Sequence, residues 1–504
     1  MFSKIYSAQT HLLDAKIIDI EIDISKGFYT FSVVGLADKA IDESRDRVSA
    51  AIKNSGYKSP KEKNQKIIIA LAPANLKKEG PNFDLGIALA YLLAKDEVDF
   101  YTSDKIFLGE LSLDGNLRKI KGVLPLVKKA KEQGFKEVYL PKENAIEGAL
   151  IDGIKVFGAE NLVQVINHLE GKESIKQQPT TKIKMDSAKI GIDFSDVKGQ
   201  ESAKRGLEIA AAGGHNIAMF GPPGTGKTML AKAFCHILPP LSFDNILETT
   251  AIHSVAGVLT KNIITQPPFR APHHTSSHIS VVGGGTFPKP GEITLAHKGV
   301  LFVDEFPEFE RRVIDSLRQP LEDKVISISR AKGTAIFPAN FILIATMNPC
   351  PCGNYKSQKE CLCPPSTISK YQRKISGPII DRIDMWTEVS NIDYNKLSEK
   401  TNNGDCTETI KERVIKAREL QKKRFGKEKT NSDMSAKDIE IYIHLNEDVK
   451  NILNQSANSM NLSARAYHKI IKLTRTIADL DGAQELSPKH ILEALQYRPK
   501  NDIF

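Results

Sequence analysis

The sequence predicts an α/β protein: a P-loop nucleotide-binding module with a parallel sheet flanked by helices, preceded by a separate α/β domain and followed by a helical segment. Three observations carry this. Residues 1–170 alternate apolar β-type runs with amphipathic helical runs, a phosphate-loop motif sits between an apolar strand and a helix near residue 221, and residues 391–504 are dominated by helical spacing.

In chain order, KIIDIEIDI, FYTFSVVGL, KIIIALAP and EVYLP read as strands of the first domain, with DESRDRVSAAIKNSG and LGIALAYLLAKD as helices between them. Residues 171–192 are polar, Lys-rich and nearly aperiodic, which suits a linker. A second α/β pattern runs over 193–390. Over 391–504, IKERVIKARELQKKRF and ARAYHKIIKLTRTIADL have helical spacing.

The 504 residues are 41% apolar and 26% charged, so a normal core can be buried and a broadly disordered chain is excluded. The net charge of +9 favours polyanionic partners only weakly, since a mild positive excess also describes a solvated surface. No apolar run approaches the roughly 20 residues of a membrane helix, and Asp14, Lys16 and Asp19 break any secretion-type apolar region near the start. Six cysteines do not make a disulfide scaffold. The expectation is a cytoplasmic protein without membrane partners.

The strongest motif is Gly221-Pro222-Pro223-Gly224-Thr225-Gly226-Lys227-Thr228. HNIAMF before it reads as a buried strand and TMLAKAFCHIL after it as a helix. Glycines let backbone N–H groups wrap phosphates, and the helix N-terminus favours negative charge. Lys227 would reach the β and γ phosphates of ATP, and Thr228 would ligate Mg²⁺. VLFVDE (300–305) is an apolar strand ending in two acids, a Walker B pattern: Asp304 would hold Mg²⁺ and Glu305 would orient or deprotonate the attacking water. Buried acids at a strand end are costly unless they meet a cation. FILIATMNP ends in Asn348, which fits either a group that positions the water or a turn cap before Pro349.

GPPGTGKT, VLFVDE and ATMNP in this order resemble an AAA+ ATPase. FRAPHHTSSHISVVGGGTFPKPGEITLAHKGVLFVDEFPEF and YQRKISGPIIDRID narrow the resemblance to the magnesium-chelatase-like ATPases of the ComM/YifB family, over essentially the whole chain. That resemblance implies a Lon-protease-like N-terminal domain of the ribosomal S5-like kind over 1–170, an AAA+ core over 193–390, a helical lid over 391–504, and a ring, expected to be a hexamer. It also implies that Arg382 in GPIIDRID is the arginine finger given to a neighbour's ATP and that Arg465 in LSARAYHK is the sensor 2 arginine; a surface salt bridge is the alternative for either, and without the family it is the preferred reading of Arg465. VISISRAKGTAIFPANF reads as a β-hairpin with a basic tip. Related ring ATPases grip DNA with such hairpins, which makes Arg330 and Lys332 the expected phosphate contacts.

The implied activity is a Mg²⁺-dependent, ATP-driven DNA motor for helicase-type unwinding or branch migration, promoting integration of DNA during natural transformation or recombination. Its implied partners are single-stranded or branched DNA, other copies of the chain and recombination proteins. The main rival is a protein-remodelling or chelatase-type ATPase working on a protein partner. A Lon-type peptidase is disfavoured, because the nucleophile position in LAPANLKKEGPNFDLG is Asn82 and the partner lysine position is Leu126, with Lys128 and Lys129 just beyond. An amide cannot form the acyl intermediate.

Cys350, Cys352, Cys361 and Cys363 form C-x-C-x₈-C-x-C after the ATMNP strand. They could close tetrahedrally on a structural Zn²⁺; reduced free thiols or a redox pair are the alternatives. His273, His274 and His278, flanked by Pro272 and by Ser and Thr, read as a polar loop rather than a metal site.

Overall fold

The computed structural model describes residues 1–36, 39–62, 64–183, 191–285, 288–330, 333–356, 359–391 and 405–499, with the backbone alone at 39, 40, 42, 330 and 333. The chain forms two compact units, one of residues 1–184 with 243–264 and the other of 185–242 with 265–504.

In the first unit, strands Phe2–His11, Asp14–Lys26, Gln65–Ala72 and Thr30–Val34 lie in that order in one sheet. The isoleucine alternation of the second strand explains its place: Ile18, Ile20, Ile22 and Ile24 are buried on one face, two residues apart. Ile5 sits opposite Ile20, and Ile22 opposite Ile69, so the three strands share one apolar face. The apolar helix Asp84–Ala94 covers it. Strands Lys105–Phe107, Glu137–Pro141 and Lys155–Ala159 make a second, parallel sheet.

One segment groups differently from the sequence reading. Helix Phe243–Ala256 lies between the P-loop helix and VLFVDE in the chain, yet packs in the first unit against helix Val123–Glu132. A buried polar joint explains it. Ser254 Oγ donates to Glu147 at 2.5 Å and accepts from the N–H of Gly122 at 2.9 Å, while the N–H of Leu124 donates to the same carboxyl at 3.0 Å. Leu247, Ala251 and Ile263 add apolar contact around the joint.

In the second unit, a parallel sheet has the order Phe269–Arg270, Val300–Val303, Ile342–Met347, Ile217–Phe220, Met385–Glu388. Its three central strands are buried at every position, as helices on both faces require. Helices Glu201–Gly213, Lys227–Ile237, Thr407–Phe425, Ala464–Leu480 and Pro488–Gln496 bury Leu207, Phe234, Val414, Ile477 and Ile491 in one core with that sheet. The C-terminal helices thus share the core of the nucleotide-binding fold. Val325–Arg330 and Gly333–Pro338 form the expected antiparallel hairpin, with Arg330 opposite Gly333; Lys332 lies outside the described residues, as does the Arg330 side chain.

Among the described residues, no helix is long and apolar enough to cross a membrane.

Candidate nucleotide site

In open parallel sheets, ligands bind beyond the carboxyl ends of the strands. The P-loop strand ends at Phe220, between the strands that end in Met347 and Glu388. Gly221 is required there, since a Cβ would overlap the Val389 carbonyl of the neighbouring chain segment. Gly224 and Gly226 have φ of +80° and +92°, left-handed values that side chains adopt at a cost.

The loop is a ready phosphate cradle. Among the described residues, the N–H groups of Gly224, Thr225 and Gly226 donate to no protein acceptor. Thr225 Oγ1 instead braces the loop by donating to the Pro222 carbonyl at 3.0 Å, and Gln200 Nε2 donates to Thr225 O at 3.4 Å and Ser390 O at 2.6 Å.

Lys227 is buried, and its Nζ donates to the carbonyls of Gly221 and Pro222, each at 2.7 Å, and to Asn348 Oδ1 at 3.3 Å. Burial pushes its ammonium down to about 8, against the pull of Asp304 and Glu305. Asn348 therefore faces Lys227.

Thr228 Oγ1 donates to Asp304 Oδ2 at 3.0 Å, and Thr346 Oγ1 donates to the other carboxylate oxygen. A hydroxyl oxygen beside a carboxylate oxygen suits a hard cation such as Mg²⁺. Glu305 takes the left-handed conformation at φ 52°, with its N–H held by Asp304 Oδ1 at 3.1 Å and Thr346 Oγ1 at 3.3 Å. Its carboxylate is half exposed and lies 3.3 Å from His274 Nδ1. Strain of this kind at a non-glycine residue clusters at functional sites.

Sequence reasoning missed Thr346 and Gln200. Thr346 had a signal: it is a hydroxyl residue, fully buried, inside the apolar run FILIATM. Gln200 had none beyond its place before a helix.

Arg382 and Arg465 do not join the residues around Lys227. They meet at the wall of a separate cavity of about 500 Å³ in the same unit, lined also by Glu322, Lys324, Asp384, Lys469 and Lys472 and by no residue of 221–228. Asp384 takes the N–H of Asn216 at 2.9 Å and pairs with Lys469 at 2.8 Å.

The four cysteines converge. Cys350, Cys352, Cys361 and Cys363 offer sulfurs all within 4.8 Å of one another, and three of the separations are 3.3, 3.6 and 3.7 Å. Four thiolates bound to zinc at about 2.3 Å would stand roughly 3.8 Å apart, so the donor set fits Zn²⁺. The backbone N–H of Asn354 and the neighbouring thiols lower Cys352, while the thiols of Cys350 and Cys352 raise Cys361 and Cys363, so the cluster by itself favours a single thiolate, on Cys352. His273 bonds Thr275 Oγ1 at 2.8 Å, and His274 faces Glu305, as polar loop residues do. In the first unit, Leu126 is buried in an apolar cluster and the Asn82 carbonyl accepts from Gly109.

Comparison with known proteins accords with this geometry. Residues 193–397 match the family model for "Magnesium chelatase, subunit ChlI", residues 20–144 that for "Subunit ChlI of Mg-chelatase", and residues 404–498 that for "Magnesium chelatase, subunit ChlI C-terminal". The chain is 42% identical to competence protein ComM of Haemophilus influenzae over 501 residues, 98% of this chain and 97% of that protein. It is 42% identical to YifB of Escherichia coli over 489 residues, 96% and 95% of the two chains. A more distant likeness, 23% over 335 residues, covers 62% of this chain and 37% of the DNA replication licensing factor mcm6 of Xenopus tropicalis. With its phosphate cradle, paired Walker B acids and full-length likeness to ComM and YifB, this chain belongs to the ComM/YifB family of magnesium-chelatase-like AAA+ ATPases.

Proposed function

We propose that this ATPase is a ring-forming DNA motor, expected to be hexameric, that drives branch migration or helicase-type unwinding while incoming strands are integrated during transformation or recombination. The observation that carries the reading is the division of the site. Lys227, Thr228, Asp304, Glu305 and Asn348 gather at one place, while Arg382 and Arg465 gather at another. Arginines that stabilise a γ-phosphate but stand apart from their own P-loop are suited to a neighbouring subunit's nucleotide, so catalysis requires assembly.

On this reading Lys227 exchanges its carbonyl partners for phosphate oxygens, and the free N–H groups of residues 224–226 bind the same phosphates. Mg²⁺ supplies charge neutralisation between the phosphates when bound, held by Thr228 and Asp304. Glu305 removes the proton from the attacking water, Asn348 helps place that water, and Arg382 and Arg465 of the adjoining subunit neutralise charge in the transition state. An arginine finger contributes roughly 10³ to 10⁵ in rate in related enzymes. The hairpin of 325–338 carries Arg330 and Lys332 as backbone contacts with DNA. The names of two relatives, a competence protein and a replication licensing factor, support a DNA substrate.

The test is the steady-state ATPase rate with Mg²⁺, with and without single-stranded and four-way-junction DNA. Stimulation by either DNA is expected, followed by strand displacement or junction migration. Intact turnover with no response to DNA moves the substrate to a protein. The R330A/K332A variant is expected to weaken DNA binding about equally across sequences and to flatten its salt dependence.

A further inference from the structure

We propose that Glu322 is a positioning residue that holds Arg382 and Arg465 side by side as one cationic pair for the nucleotide of an adjoining subunit; this rests on the ring reading above. Glu322 lies at the end of helix Arg318–Asp323 and divides its carboxylate between the two arginines. Oε2 accepts from Arg382 Nη2, and Oε1 stands 3.0 Å from Arg465 Nη2. The arginines come from distant parts of the chain, one after the short helix Gly377–Ile380 and the other in the first turn of Ala464–Leu480.

Two guanidinium groups repel each other, and the cavity they share already holds other cations. Those cations have partners of their own: Lys469 pairs with Asp384 at 2.8 Å, Lys324 with Asp433 at 3.8 Å, and Lys472 donates to the Ser432 carbonyl at 3.0 Å. Glu322 is the carboxylate left for the arginines, and with it both heads can face one point. Without it they separate, because like charges in a partly dehydrated cavity are weakly screened. Arg465, 40% exposed on its side chain, is the arginine open to a phosphate. Arg382 is the more buried of the two: its Nη1 donates to the Pro378 carbonyl at 2.7 Å, and its Nε is buried and without a partner among the described residues.

Glu322 is not a fastening of the fold. Its side chain is 45% exposed, and the lid helix is tied to the sheet independently through Lys469 and Asp384. Glu322 itself is half exposed, and the amide of E322Q still offers an oxygen to one arginine, so the substitution acts on how the two heads are placed rather than on folding.

The experiment compares wild type, E322Q, E322D, R382A/R465A and R382A/R465A/E322Q in the full chain, measuring kcat and KM for ATP, binding of a fluorescent ATP analogue, and Tm. E322Q is expected to lower kcat about tenfold with KM, analogue affinity and Tm unchanged, because misplaced catalytic groups lose rate without losing ground-state binding. E322D, which keeps the charge one methylene short, is expected to recover part of that rate. In the R382A/R465A background, E322Q is expected to have no further effect. A kcat for E322Q at or above wild type overturns the proposal, as does a full additional loss in the double-variant background. If R382A/R465A itself turns over at the wild-type rate, the ring reading fails; if only E322Q is silent, the positioning role fails and the ring reading stands.

Discussion

Glu305 offers the sharpest test of the chemistry, because its two substitutions separate charge from backbone strain. E305Q keeps shape and conformation but cannot accept a proton. Loss of a general base typically costs 10² to 10⁴ in rate, or about 3–5 kcal/mol in the barrier, so kcat is expected to fall by that factor with nucleotide binding retained. The side chain is half exposed and, among the described residues, pairs with His274, so stability is expected to stay within about 0.5 kcal/mol of wild type. E305G also removes the base but relieves the left-handed conformation at φ 52°. Relief is worth about 1–2 kcal/mol, and the added freedom of the unfolded glycine takes back about 0.4–1 kcal/mol. The net expectation is a slightly higher Tm with turnover as low as in E305Q. The assays are steady-state ATPase, equilibrium binding of an ATP analogue, calorimetry and light scattering, the last to detect a ring trapped with bound ATP in E305Q. Turnover at the wild-type rate in either variant refutes the assignment of the base. A lower Tm in E305G would mean that the glutamate side chain stabilises the fold rather than that the fold strains the glutamate.

Three further predictions follow from the same geometry. G221A places a methyl against the Val389 carbonyl and is expected to cost several kcal/mol, whereas G224A has open space and bears only the left-handed strain of about 1–2 kcal/mol; equal Tm losses would contradict this. Asp384 is held well below the ordinary carboxylate range even though burial pushes it upward, because Lys469 and His215 outweigh burial. A depressed acid stabilises the fold above its unfolded value of about 4 and loses that contribution as pH falls, so D384N is expected to lose about 3–5 kcal/mol at pH 7 and to show a flatter decline of Tm below pH 4 than wild type. The cysteine cluster is expected to hold about one zinc per chain, with C350S/C361S abolishing the metal and lowering Tm; metal-free wild-type protein with unchanged stability and ATPase removes the idea.

The parts of the candidate nucleotide site stand out in the sequence because they are local. A phosphate loop needs its glycines, lysine and hydroxyl within eight residues, since one turn of backbone must wrap one chain of phosphates. A strand ending in acids likewise states its role within six letters. VLFVDE and FILIATMNP read correctly because a parallel sheet covered on both faces demands unbroken apolar runs. The C-x-C-x₈-C-x-C spacing brought four sulfurs close enough to be noticed, although only the folded loop shows them within 4.8 Å of each other.

Tertiary structure decided what depends on residues distant in the chain. Thr346 holds Asp304 across two neighbouring strands, and nothing around either residue announces the pairing. The segment 243–264 sits with the first unit because Ser254 meets Glu147 and Gly122, more than a hundred positions away. Glu322 gathers Arg382 and Arg465 from two other elements, an arrangement with no periodicity and no motif. The chemistry that one loop or one strand end can carry is written in its own few residues. The fold decided which charges face one another, because Coulomb energy and hydrogen bonding act over a few ångströms of space and are indifferent to separation along the chain.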